Sequence, residues 1–193
     1  MIARSNVAAR LVRPSTVYRR SFLLALDEYH AEGDLLELCA DALGNPCEFA
    51  HYVDALLADE EQPGQTLRYL AWLAGEPHPI EFEGGYVPQT TFWWVAGGEY
   101  LGRISIRHRL TPHLCRGGGH IGYEVRPSAR RKGHATAMLA AVLPLAAELG
   151  VDPACLDCRA DNAASRVVIE RNGGRLQREE DGWLFFHLPT RPA

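Results

Sequence analysis

The segment Tyr123 to Thr136, YEVRPSARRKGHAT, constrains this chain more than any other. The run from His120 to Val125 reads as a strand, and Pro127 helps to stop it. A stretch of helical composition then runs from Ala135 to Leu149, with Pro144 inside it, where a kink is expected. Four cations (Arg126, Arg130, Arg131 and Lys132) fall between strand and helix, and no acid occurs from Val125 to Ala147. Gly133 and Ala135 keep side-chain bulk off the backbone. The first helical turn then offers bare N–H groups at the positive end of the helix dipole. That is a seat for an anion, and pyrophosphate is its natural occupant. The same residues equally suit a basic turn that caps a helix and faces water. The segment is neither a P-loop nor a dinucleotide fingerprint, since the glycine spacing of each is absent.

The flanking elements follow from pattern. On the N-terminal side, Ala9–Val12 reads as a short strand, Arg13-Pro14-Ser15 as a turn and Val17–Tyr29 as an amphipathic helix. Gly33 is a plausible stop, and Asn45-Pro46 reads as an N-cap and first helical position for a helix to Ala58. A further helix spans Thr66–Leu73, and the Gly- and Pro-rich stretch 75–89 is loop. Thr91–Val95 and Tyr100–His108 form a hairpin around Gly97-Gly98. Beyond the central segment come a strand Ala154–Cys158, a helix Ala163–Arg171 and a hairpin of Arg175–Glu179 with Trp183–Leu188. The strand-helix-strand unit amid hairpins argues for an α/β (α+β) sandwich with a mixed, mostly antiparallel sheet.

Composition excludes several classes. With 193 residues, 47% hydrophobic and 23% charged, the chain can bury a full core as one domain. No apolar run approaches a membrane span, so no membrane partner is expected. A net charge of -4 opposes a nucleic-acid partner. Five cysteines (Cys39, Cys47, Cys115, Cys155 and Cys158) suggest free thiols and a cytoplasmic location. Cys155 and Cys158 form a C-x-x-C pair without a second pair of ligands, so half-buried strand thiols are expected and no metal. The arginines before Asp27 resemble a transit peptide, but the strand-turn-helix reading competes.

Arg130-x-x-Gly133-x-Ala135 resembles the Q/R-x-x-G-x-G/A signature of the GNAT superfamily of N-acetyltransferases. Asn162-Ala163-Ala164-Ser165 and Val168 to Gly174 resemble that family's N-x-x-[AS] helix and its glycine-containing turn. The stretches Gly102–His108 and Gly118–Tyr123 look like one subgroup of predicted acetyltransferases. The resemblance covers roughly residues 90–188, and less securely the N-terminal strand and helix. It implies a central sheet flanked by helices, with two splayed parallel strands. Residues 1–89 would serve the acceptor side and 90–193 the acetyl-CoA-binding core. Acetyl-CoA would be the co-substrate, and a primary amine of a small molecule or peptide the acceptor, attacking directly in a ternary complex. Main-chain groups of Tyr123 and Val125 would bond the acetyl carbonyl and pantetheine arm. Amides from Arg131 through Lys132, Gly133, His134, Ala135 and Thr136 would cradle the diphosphate, with charge from Arg130 and Arg131. Asn162 would hold the arm, and Ser165 would lie near the thiol.

One departure stands out. The family often places a tyrosine acid seven residues after the asparagine, and here that position is Ile169. Ser165, Tyr123 or a water is left to protonate the thiolate. For the base, His120 and Glu124 are the candidates, and a bulge in their strand decides whether they share a face. His120 also reads as a hydrogen-bonded sheet residue. The Tyr123 N–H is the candidate oxyanion donor. Arg107 and His108 would orient an acidic acceptor or end a strand in solvent. One of Trp93 and Trp94 would be core and the other would wall the acceptor site. The acids Asp27, Glu28, Glu32, Asp34 and Glu37 would attract a polyamine or form a solvated face. The final hairpin offers an edge for a homodimer. The competing functional reading is a non-catalytic acyl-CoA-binding sensor.

Overall fold

The structure, a computed structural model, describes residues 7–29, 40–75 and 82–191. Gly33, Cys39, Glu32, Asp34 and Glu37 lie outside them.

The order is β1 (Arg10–Val12), α1 (Arg19–Tyr29), α2 (Ala40–Leu43), α3 (Pro46–Ala58), α4 (Gln65–Leu73), β2 (Gln89–Ala96), β3 (Glu99–Arg107), α5 (Pro112–Arg116) and β4 (Ile121–Val125). Then follow α6 (His134–Glu148), β5 (Ala154–Arg159), α7 (Ala163–Arg171), β6 (Arg175–Glu180) and β7 (Trp183–Leu188). Asn45 caps α3 by accepting from the Cys47 N–H at 2.9 Å, with Pro46 in the first turn. Helix α6 continues past Pro144 to Glu148. None of the elements expected from the sequence covers the short helix α5. Thr111 caps it and Pro112 starts it, a signal that a five-residue element hides in composition.

The strands form two sheets, ordered β1-β2-β3-β4 and β5-β7-β6. Every paired neighbour is antiparallel. β4 and β5 lie side by side without a ladder. His120 meets Cys155, and Tyr123 comes near Cys158, so the two strands run the same way. The splay expected of two parallel strands is therefore complete enough to divide the sheet in two.

The first sheet buries both faces. Trp93, Val95 and Tyr100 pack on Phe22 of α1 and on Phe49 and Tyr52 of α3. Ring centroids there lie 5.1–5.3 Å apart for Phe22 against Phe49, Trp93 and Tyr100. Each such pair adds about 0.5–1.5 kcal/mol beyond its buried area. Trp94, Ile104, Ile106 and Val125 face the other way, onto Met138, Leu139 and Val142 of α6 and the second sheet. Adjacent residues point to opposite faces, and here both faces are core. Neither tryptophan walls an acceptor site: Trp93 is 0% exposed and Trp94 5%.

Candidate active site

The turn after β4 is held rather than free. Arg126 is buried, and its guanidinium pairs with Glu28 of α1 and donates to the Tyr100 carbonyl at 3.2 Å. Glu28 also accepts from the Ser128 N–H and hydroxyl, at 2.9 and 2.8 Å. Burial works against the charged carboxylate, but these bonds outweigh it and pull Glu28 down to about 2. Glu28 therefore pins α1 to the turn and is not spare charge for a polyamine. The described residues hold only Asp27 and Glu28 of that acidic group.

Past this anchor the chain curls. Arg131 and Gly133 both adopt left-handed conformations, with φ of 64° and 82°. For an arginine this is uncommon, and alternation of this kind turns successive N–H groups into a concave nest. Gly133 caps α6 with no side-chain bond, so the cap residue itself leaves the amides of the first turn unoccupied. Arg131, Lys132 and Gly133 are exposed, and His134, Ala135 and Thr136 half-buried. The His134 ring turns inward, accepting from Trp94 Nε1 at 3.3 Å. Two of the expected cations have other engagements. Arg130 Nε donates to the Val125 carbonyl at 2.9 Å, and Lys132 Nζ to the Ser128 carbonyl at 2.7 Å. The carbonyl of Val125 thus already has a partner. A hollow of about 720 Å³ beside this turn is lined by Arg20, Ser21, Leu24, Lys132 and His134.

The gap between β4 and β5 opens from a tight vertex. The His120 N–H donates to the Cys155 carbonyl at 2.7 Å, and His120 Nδ1 accepts from the Cys155 N–H at 2.9 Å. That second bond occupies the ring nitrogen that His120 would use as a general base. The ring's lone pair is occupied, and the remaining nitrogen carries the proton. Burial, Arg107 and His187 lower its pKa further. Three residues along, Tyr123 spans the gap, its hydroxyl 2.7 Å from Ser165 Oγ of α7. Burial raises the phenol to about 12 against the lowering effect of Ser165, so it stays protonated at neutral pH. Asn162 caps α7 through its Oδ1, which accepts from the Ser165 N–H at 3.0 Å. Ile169, at the usual tyrosine position, is buried in the core at 0% exposure. Cys155 and Cys158 are half-buried and buried, and burial raises both thiols.

The β3–β4 register runs regularly from Gly102↔Val125 to Ile106↔Ile121, without a bulge. Gly122 and Glu124 therefore share one face, opposite Ser105 and Arg103, and Tyr123 takes the other. A bulge lies instead in β3, where Leu101 is the extra residue opposite Trp94 and Val95 of β2. Glu124 pairs with Arg103 at 2.8 Å, and both line a cavity of about 490 Å³ on the N-terminal-helix side. Leu56, Leu70, Phe82, Tyr86 and Val87 form its apolar wall. Ser105 and Thr91, bonded to each other at 2.9 Å, and Arg107 form part of its floor. Arg107 is anchored by the carbonyls of Gly118 and Gly119, at 2.6 and 3.1 Å. Asp157, unremarked in the sequence, accepts from the Gly118 N–H at 2.6 Å beside it. His108 bonds Thr90 at 2.8 Å and stays outside the cavity lining. Arg103, Ser105 and Thr91 carry no local motif. Only the cross-strand register brings them to Glu124.

A family model described as "Acetyltransferase (GNAT) domain" matches residues 24–175. The chain belongs to the GNAT acetyltransferase family. As a GNAT protein it is an acyltransferase of the N-acetyltransferase type. The comparison with curated proteins gave no match. Solved structures share the fold. The microcin C7 self-immunity acetyltransferase MccE, in complex with acetyl-CoA and AMP, superposes with a TM-score of 0.56 at 12% identity, covering 94% of this chain and 92% of that one. The ribosomal L7/L12 alpha-N-protein acetyltransferase RimL with coenzyme A gives 0.56 at 15%, covering 95% and 93%. Mycobacterium smegmatis RimJ in complex with CoA-disulfide gives 0.54 at 20%, covering 95% and 81%. The described residues of this GNAT chain contain no helix long and apolar enough to cross a membrane.

Proposed function

We propose that this protein transfers the acetyl group of acetyl-CoA to a primary amine of a small molecule or peptide, by direct attack in a ternary complex. One observation carries the reading. β4 and β5 run side by side without a ladder, and the Tyr123 phenol crosses between them to Ser165 of α7.

The residues fit acetyl-CoA as follows. The amides from Arg131 to Thr136 would hold the diphosphate by charge-assisted hydrogen bonds, with Arg131 adding charge. Arg130 acts indirectly, by tying the turn to Val125. Arg20 and Lys132 in the neighbouring hollow suit the anionic nucleotide end. The pantetheine arm would lie between β4 and β5, bonding main-chain groups of Tyr123, the Val125 N–H and the Asn162 amide. The Tyr123 N–H would face the charge that develops on the acyl oxygen.

The acceptor amine would enter through the 490 Å³ cavity. Glu124 replaces His120 as the candidate base, with Arg103 fixing its carboxylate. As the carbon–sulfur bond breaks, the Tyr123 hydroxyl can pass its proton to the leaving thiolate. Ser165 Oγ then bonds the phenolate oxygen until solvent reprotonates it. This pair supplies what Ile169 cannot.

A thiol-release assay with acetyl-CoA over a panel of primary amines tests the reading. Acceptor-dependent release is expected. Reproducible coenzyme binding with no release on any acceptor would favour the sensor reading.

A further inference from the structure

We propose that His120 is a positioning residue that clamps the vertex of the β4–β5 gap and so sets the width of the coenzyme seat. The inference rests on the reading of that gap as the acetyl-CoA site.

In a parallel pair, N–H groups of each strand find carbonyls on the other. β4 and β5 lack that ladder. Both main-chain groups of Cys155 point at one residue instead. Its carbonyl accepts from the His120 N–H at 2.7 Å, and its N–H donates to the His120 ring at 2.9 Å. The His120 carbonyl is unavailable for that second bond, because it accepts from the Arg107 N–H at 2.7 Å. The ring therefore stands in for the missing acceptor at the point where the strands part. The backbone approach is close as well. A Cβ on Gly119 would sit 2.5 Å from the Cys155 carbonyl oxygen. Beyond this vertex the link across the gap is side chain to helix, from Tyr123 to Ser165. Losing the ring bond would leave a part-buried N–H unpaired and free the strands to shift.

The clamp depends on the charge state of the imidazole. A proton on Nδ1 would turn the acceptor into a donor facing a donor. The groups that act on the ring are Arg107 from β3 and His187 from β7, and both oppose a positive charge there. Cys155 and Asp157 lie on β5, with Arg178 of β6 acting on both. The fold binds the neutral ring. The bond is therefore complete above the ordinary histidine value of 6.5 and fades as pH falls through the lowered value.

Two measurements on the full chain test the clamp: amide exchange at Cys155 by NMR and calorimetric titration with CoA. His120→Ala should speed Cys155 exchange and weaken CoA binding by about tenfold. His120→Asn, whose Oδ1 can take the place of Nδ1, should restore both. Wild-type affinity for CoA should fall more steeply than that of the Asn variant as pH drops through the lowered histidine value. Circular dichroism checks that both variants fold.

Unchanged CoA affinity in His120→Ala, or an Asn variant as weak as the Ala variant, would overturn the proposal while the functional reading stood. So would a fall in kcat alone at constant CoA affinity, because that is the signature of a base. Absence of CoA binding by the wild type would overturn the functional reading and the coenzyme role together. Cys155 exchange would then show whether the strand clamp exists without it.

Discussion

The gap between β4 and β5 and the cavity on the other face of β4 are made of different material. The gap and its turn present main-chain groups: the amides after Arg131, the close approach at Gly119 and the edges of two strands. The cavity presents side chains from α3, α4, β2, β3, β4 and the segment before β2. A site of main-chain groups needs small residues and left-handed turns in a row, so it leaves a contiguous signature. A site of side chains needs only that distant segments meet. The first kind of site tolerates little change at a few positions. The second can be retuned residue by residue.

Gly119 and Gly122 give the sharpest way to break this contrast. Gly119 has φ 52° and backbone within 2.5 Å of an added Cβ, whereas Gly122 meets nothing closer than Arg107 at 4.0 Å. Gly119→Ala should lower stability by about 2 kcal/mol or more and abolish CoA binding. Gly122→Ala should fold normally and bind CoA as the wild type does. Chemical denaturation and calorimetry check both, and equal effects of the two would erase the distinction.

Next in size is the chemistry between the two regions. Tyr123→Phe should lower kcat about 10²-fold or more with little change in CoA affinity. Because its phenol lies at about 12, the wild type should show no alkaline fall in rate near pH 10 from this group. An alkaline limb near 10 that vanishes in the Phe variant would place the phenol in ordinary solvent. Glu124→Gln should lower kcat by a similar factor with little change in CoA affinity.

Smaller effects sharpen the comparison at its edges. Arg131→Glu should weaken CoA several-fold at low salt and less at high salt, since an exposed charge is screened. Arg130→Glu acts through Val125 and should also disturb the turn. Glu28→Gln acts on stability rather than on coenzyme binding. The Glu28 carboxylate is held at about 2 against an ordinary 4.5, so its contribution is complete above 4.5 and lost as pH falls toward 2. The Gln variant should be less stable than the wild type at neutral pH, and the difference should shrink in acid. A difference that grows in acid would refute the pairing with Arg126 and Ser128.

These contrasts explain what the sequence disclosed. Elements with local start signals were legible, as with the Asn45-Pro46 cap of α3 and the helix Ala163–Arg171 after Asn162. The turn before α6 was legible for the same reason, from Gly133. The roles of Arg126 and Arg130 were not, because each partner is fixed by tertiary structure: Glu28 lies 98 residues away, and the Val125 carbonyl has no sequence signal. His120 carried the right chemistry for a base. Only its 2.9 Å bond to Cys155, 35 residues away, reveals that its lone pair is taken. The Arg103–Glu124 pair became visible only through the β3–β4 register.

Calorimetric titration with CoA and with pantetheine, which lacks the diphosphate, tests the central claim most directly. If the amides after Arg131 hold that diphosphate, CoA should bind at least about a hundredfold more tightly than pantetheine. Equal affinity for the two, or no heat from either, would contradict it.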